Sequence, residues 1–214
     1  MRIIDLTHPL DADTPVYPGT ASVRIEALTT VHEHGFAERL VTMASHAGTH
    51  MDAPAHLFPD GLTLDRVPPQ HFVGTACVLD LTAAGPTVPL AVLERQADRL
   101  VGSSIVLLRT GWDRHWGDPA YYRGFPVLSA ESARWLGRRG LTTVGVDAIS
   151  FDPLDEPDLP VHRLLLGAGL LLVENLTGLH DLPPAGFTLC CLPLPLADAD
   201  GAPCRAVAII DDRP

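Results

Sequence analysis

Residues 45–56, Ser-His-Ala-Gly-Thr-His-Met-Asp-Ala-Pro-Ala-His, narrow most what this chain can fold into. His46, His50, Asp52 and His56 fall within eleven positions. Each can bind a divalent cation or move a proton. His46 and His50 have the i, i+4 spacing of one helical face. The backbone around them opposes a continuous helix. Gly48 lowers helix stability, Pro54 breaks the hydrogen-bond ladder, and Ala53 is pushed toward extended geometry. The segment is therefore predicted to be a fixed loop that folds back on itself until the four side chains converge. The competing reading is an exposed, His-rich surface loop. The density of ligands, with Gly and Pro fixing the backbone between them, weighs against it.

A converging loop needs a rigid support. The 214 residues are 46% hydrophobic and 19% charged, the balance of one folded domain with a sizeable core. The formal net charge of -11 argues against nucleic acid or an anionic membrane as partner. Part of that acid excess is expected around metal ions. Cys77, Cys190, Cys191 and Cys204 form no C-x-x-C pair, and adjacent Cys190 and Cys191 should point to opposite faces of a strand. Reduced thiols and a cytoplasmic location are the expectation. Met1-Arg2-Ile3-Ile4-Asp5 puts an acid where a signal peptide needs its apolar core. The apolar stretch 164–173 is interrupted by Gly167 and Gly169 and is too short to span a bilayer.

Patterning predicts strands over 2–6, 21–28 and 37–44, the last leading into the histidine segment. Val23 and Ile25 are expected on one face of the second. Continuous apolar runs at 75–81, 105–108, 141–146 and 170–173 read as buried strands, and 187–192 with 204–210 as a final pair across a turn at 198–203. Helices are predicted from Pro89 to Leu100, from Ser129 as cap to about Arg139, and from Pro160 to near Gly167. Residues 112–125 are too long for a tight connection and are expected to cover a pocket or join an interface. The sum is α/β: a single domain over 1–214 with a mixed sheet or open barrel flanked by helices.

Two further residues stand where they can complete a site. His162 lies in the first turn of the last predicted helix, and Glu174 ends the strand that follows it. A helix leading back into a strand brings such ends to one sheet edge. The helix N-terminus should also help keep His162 neutral and able to ligate. Imidazole and carboxylate suit zinc or manganese in an open catalytic site, and a carboxylate such as Asp52 can bridge two cations. The chain has no G-x-S-x-G elbow, P-loop or G-x-G-x-x-G fingerprint. Tyr17, in a Pro-rich loop, reads equally as a packing residue or a substrate contact. His32 and His34 read as solvated, or as lining a pocket mouth.

The run His46-Ala-Gly-Thr-His50-Met-Asp52-Ala-Pro54-Ala-His56 resembles the H-x-G-T-H-x-D-x-P-x-H signature of the cyclase family, which includes bacterial kynurenine formamidase and isatin hydrolase. The likeness extends over residues 5–10, 14–19, 109–112, 145–147 and 162–176. It implies that His46, His50 and Asp52 hold one metal and that Asp52, His162 and Glu174 hold a second, with Asp52 bridging. His56 is implied to be the general acid/base. Tyr17 stands where formamidases carry a Trp against the substrate ring, which leaves the substrate open. The resemblance further implies two divalent ions (Zn2+ or Mn2+), a swivelling β/β/α-like core, and a homodimer or homotetramer. The expected activity is hydrolysis of an aryl amide, N-formylkynurenine foremost. The alternatives are ring opening of an isatin-like substrate or cyclase/dehydratase chemistry, and, outside enzymes, a metal-binding protein.

Overall fold

The structure, a computed structural model, describes residues 1–211. Its strands are β1 (Arg2–Asp5), β2 (Arg24–Thr29), β3 (Glu38–Thr42), β4 (His50–Asp52), β5 (Val73–Asp80), β6 (Thr87–Val88), β7 (Ile105–Arg109), β8 (Val127–Leu128), β9 (Thr143–Val146), β10 (Leu171–Glu174), β11 (Ala185–Pro193) and β12 (Gly201–Ile210). Helices are α1 (Val31–His34), α2 (Leu90–Glu94), α3 (Ala130–Gly137) and α4 (Pro160–Gly167).

The apolar runs become the parallel core β5-β7-β9-β10. Both faces of this core are covered, which is why its strands lack polar alternation. On β7, Ile105 and Leu107 enter one apolar cluster, while Val106 and Leu108 enter another shared with Leu136 of α3 and Leu165 of α4. The first cluster also takes Met51, Val78, Val173, Phe187 and Ala206 from strands all round the sheet, so it is a barrel interior. β11 pairs antiparallel with β5, and β12 with β11. β4 then lies antiparallel between β10 and β12, setting His50 opposite Glu174 on one side and Pro203 on the other. This closes the sheet into a barrel, with β1 paired to the far half of β12. The mixed α/β architecture is as the sequence predicts, and the open-barrel alternative becomes a closed one.

Several local expectations change. The helix predicted over 89–100 stops at Glu94, and a separate 3-10 turn follows at Ala97–Leu100. Gln96 interrupts it: its side chain accepts from the Asp80 amide (2.9 Å) and donates to the Asp80 carbonyl (3.0 Å), satisfying the end of β5. α3 has the predicted cap, the Ser129 hydroxyl accepting from the Ser132 amide, but ends at Gly137. β2 and β3 form a hairpin outside the barrel, with Val23 buried just ahead of it and Ile25 exposed rather than sharing its face. Cys191 is buried and Cys190 half-buried, as opposite strand faces require. Among the described residues no helix is long and apolar enough to cross a membrane.

Candidate metal centre

The segment predicted as one loop is three pieces: a turn carrying His46, the barrel strand β4, and a 3-10 turn over Pro54–His56. A strand's period of two explains the arrangement. Met51 points into the barrel, so His50 and Asp52 point outward from its wall. Glu174, opposite His50 on β10, faces the same way. α4 packs against this wall and brings His162 over it. Gly201, opposite Asp52 on β12, leaves the space that His46 fills: a Cβ there would stand 2.6 Å from the His46 ring.

The five implied ligands converge. His46 Nδ1 lies 2.8 Å from Asp52 Oδ1. His50 donates through Nδ1 to the Gly48 carbonyl at 2.8 Å, which turns Nε2 toward the cluster. That Nε2 is buried and receives no hydrogen bond, although Asp52 Oδ1 and Glu174 Oε2 stand 3.2 and 3.4 Å away. An imidazole nitrogen and two carboxylate oxygens around one point are a donor set that fits a cation. His162 Nε2 is 3.0 Å from Glu174 Oε1 and 3.8 Å from Asp52 Oδ2. Asp52 thus faces both halves of the cluster, one oxygen to each.

His162 departs from the expectation of a neutral imidazole. The α4 amides of Val161 and His162 donate to Asp152 at 2.8 and 2.9 Å, so the helix N-terminus is already occupied by a carboxylate. Asp152 also bonds His162 Nδ1 at 2.7 Å. Burial alone would lower the His162 pKa, but Asp152, Glu174 and Asp52 overcome it and raise it to about 10. His46 follows the same balance: burial lowers it, Asp52 and Asp200 raise it, and it reaches about 9.

His56 reaches the same cluster, its ring centroid 4.2 Å from that of His46. Burial holds it below the usual histidine value, and His46 and His162 add to that against Asp52 and Asp200. Over the cluster opens a cavity of about 260 Å³ walled by Pro15, Tyr17, Ile149 and Leu159. Tyr17 lies on the wall, and its hydroxyl donates to the Leu154 carbonyl at 3.2 Å. His32 and His34 are exposed on α1 and do not line this cavity. The 112–125 segment does not line this cavity; Tyr122 to Phe125 instead line a second one, with Pro18, Pro153 and Leu154. Trp116 stacks on His8 at 3.8 Å, and buried Tyr121 donates to Asn175 Oδ1 at 2.7 Å.

Three residues of the site escaped the sequence reading. Asp152 and Asp200 brace the histidines, and Asn175, at φ 56°, donates to the Gly48 carbonyl. Asn175 followed Glu174 in the resemblance but carried no predicted role. Asp200 sat in what read as a plain hairpin turn.

A closed mixed barrel bearing an imidazole–carboxylate cluster on its outer wall is a frame for binding divalent metal under an apolar cavity. The chain belongs to the cyclase family: the family model described as "Putative cyclase" matches residues 4–153. Kynurenine formamidase of Bacillus cytotoxicus is 34% identical over 205 residues, 95% of each chain. Isatin hydrolase A from Labrenzia aggregata, solved with benzyl benzoate, aligns with a TM-score of 0.87 at 29% identity over 98% of this chain and 93% of its own. A structure described as a potential metal-dependent hydrolase with cyclase activity aligns with a TM-score of 0.82 at 25% identity over 99% of both chains.

Proposed function

We propose that this protein is a metal-dependent amidohydrolase acting on aryl formamides, N-formylkynurenine foremost. The carrying observation is the convergence of His46, His50, Asp52, His162 and Glu174 beneath an apolar-walled cavity, with His56 beside them. His46, His50 and Asp52 would hold one ion, Zn2+ or Mn2+, and Asp52, His162 and Glu174 a second. Divalent ions there would acidify water and stabilise an oxyanion.

The chain's own residues supply the rest. The cavity wall, Tyr17 included, holds the aryl ring and excludes water around it. His56, neutral near pH 7, accepts the proton of the attacking water as its oxygen bonds to the formyl carbon. It returns that proton to the aniline nitrogen as the carbon–nitrogen bond breaks, giving formate and the free arylamine.

Opening of a cyclic amide is the second reading, supported by the likeness to isatin hydrolase A. Ring-closing or dehydratase chemistry and metal binding without turnover are further outcomes of the same test. Purified protein is analysed for bound metal, then assayed on N-formylkynurenine and isatin. Metal-dependent release of formate, abolished in His56→Ala with metal still bound, is expected. Turnover of isatin alone moves the assignment to the second reading, and no turnover of any amide sinks the enzyme reading.

We place the enzyme in the cytoplasm. Its thiols are free, and Cys191 and Cys204 remain unlinked with sulfurs 3.3 Å apart. We further infer a homodimer or homotetramer, supported by the exposed apolar hairpin β2–β3.

A further inference from the structure

Each histidine of the metal cluster has a second partner that fixes its ring. His50 uses the Gly48 carbonyl and His162 uses Asp152. For His46 the partner is Asp200, whose Oδ2 lies 2.8 Å from Nε2. That same oxygen lies 3.3 Å from Nδ1 of His56. Asp200 is therefore the only acid of the site shared between an implied ligand and the implied proton carrier, as far as the described residues show. Its backbone is tied to the site: its carbonyl accepts from the Ala53 amide at 2.8 Å.

We propose that Asp200 is a positioning residue for both histidines. Asp200 accepts N–H from His46 Nε2, so Nδ1 of that ring carries the lone pair toward Asp52 and the cation. It also accepts N–H from His56 Nδ1, which leaves His56 Nε2 as the basic atom available to the cavity. A carboxylate behind a ligating imidazole fixes its tautomer and raises its basicity. One carboxylate behind both rings ties the orientation of the ligand to that of the base. The inference rests on the ligand and base roles proposed above.

The test uses full-length protein and two variants, Asp200→Asn and Asp200→Ala. Asp198→Asn serves as control, since Asp198 is exposed and pairs with Arg66, away from the histidines. Zinc affinity is measured by chelator competition and histidine tautomers by 15N NMR of the zinc-loaded protein. Neither readout depends on the identity of the substrate. His56 is expected to be protonated at Nδ1 in the wild type and to lose that preference in Asp200→Ala. Zinc affinity should fall about 10- to 100-fold in Asp200→Ala. At saturating zinc, kcat on an aryl formamide should fall by a similar factor with KM unchanged.

An Nε2-protonated His56 in the wild type overturns the proposal, as does unchanged zinc affinity in a folded Asp200→Ala protein. His46, His56 and Asp200 also lie close enough to chelate an ion themselves. Loss of one bound ion at saturation, rather than weaker binding, would make Asp200 a ligand and refute the positioning role. If the wild type lacks formamidase activity, the functional reading fails while the zinc and NMR results still decide this one.

Discussion

His46 and His162, two of the proposed metal ligands, lie among carboxylates. Carboxylates around them hold their pKa values at about 9 and about 10, against an ordinary value of 6.5. Both folded-state values are raised, so the stability these two rings contribute is complete below about 6.5 and is lost as pH climbs through 9 to 10. Metal binding at these proposed ligands would then expel a proton from each ring near neutrality. Zinc titrations in buffers of different ionisation heat should show that release at pH 7, and apparent zinc affinity should rise steeply with pH. A titration at pH 7 with no net proton release would show that the rings bind metal without having been charged. His56 lies on the other side of this balance, held below 6.5 and ready to accept a proton.

At the scale of elements, the ends of β7 and β9 are joined by one acid. Buried Asp147 accepts from the Thr110 amide (2.8 Å), the Thr110 hydroxyl (2.5 Å) and the Gly111 amide (2.8 Å). Burial still pushes its carboxyl up to about 6. A raised acid binds more protons folded than unfolded, so this group makes stability fall as pH rises from about 4 to 6. Asp147→Ala should cost about 2–3 kcal/mol, since the donors are left unpaired. It should also flatten that part of the pH–stability curve. Urea denaturation at several pH values reads both effects, and a variant as stable as the wild type contradicts the account.

Elements with strong local patterning were legible in the sequence. α4 begins at Pro160 with His162 in its first turn, and β10 ends at Glu174, as expected from the chain. β4 was not legible as a strand, because three residues with polar ends carry no alternation of their own and become extended only between β10 and β12. The break after α2 depends on where the Gln96 side chain finds partners, sixteen residues back at Asp80. Asp200 was hidden for a similar reason: its histidine partners lie 154 and 144 positions away, and no spacing rule spans such distances.

At the scale of the whole molecule, an apolar stretch of surface is left uncovered. The hairpin β2–β3 stands off the barrel and exposes Leu28, Val31, Phe36, Leu40 and Val41 along it. Two strands alone are marginal in water, and an apolar patch of this kind marks an interaction surface. A second copy of the chain is the proposed occupant. Leu28→Asp combined with Phe36→Asp should reduce the mass measured by light scattering to that of a monomer. An unchanged mass would place the interface elsewhere.

The closure of the barrel has a consequence in time. His50 and Asp52 belong to the first quarter of the chain, yet β4 is held in place by β10 and by β12, near its end. During synthesis the earliest ligands must wait, unpaired, while some hundred and fifty residues follow them. β12 supplies none of the five proposed ligands, yet β4 has its second neighbour only once that strand docks. Metal capture at the proposed site would then be a late event in maturation, completed when the last strand arrives.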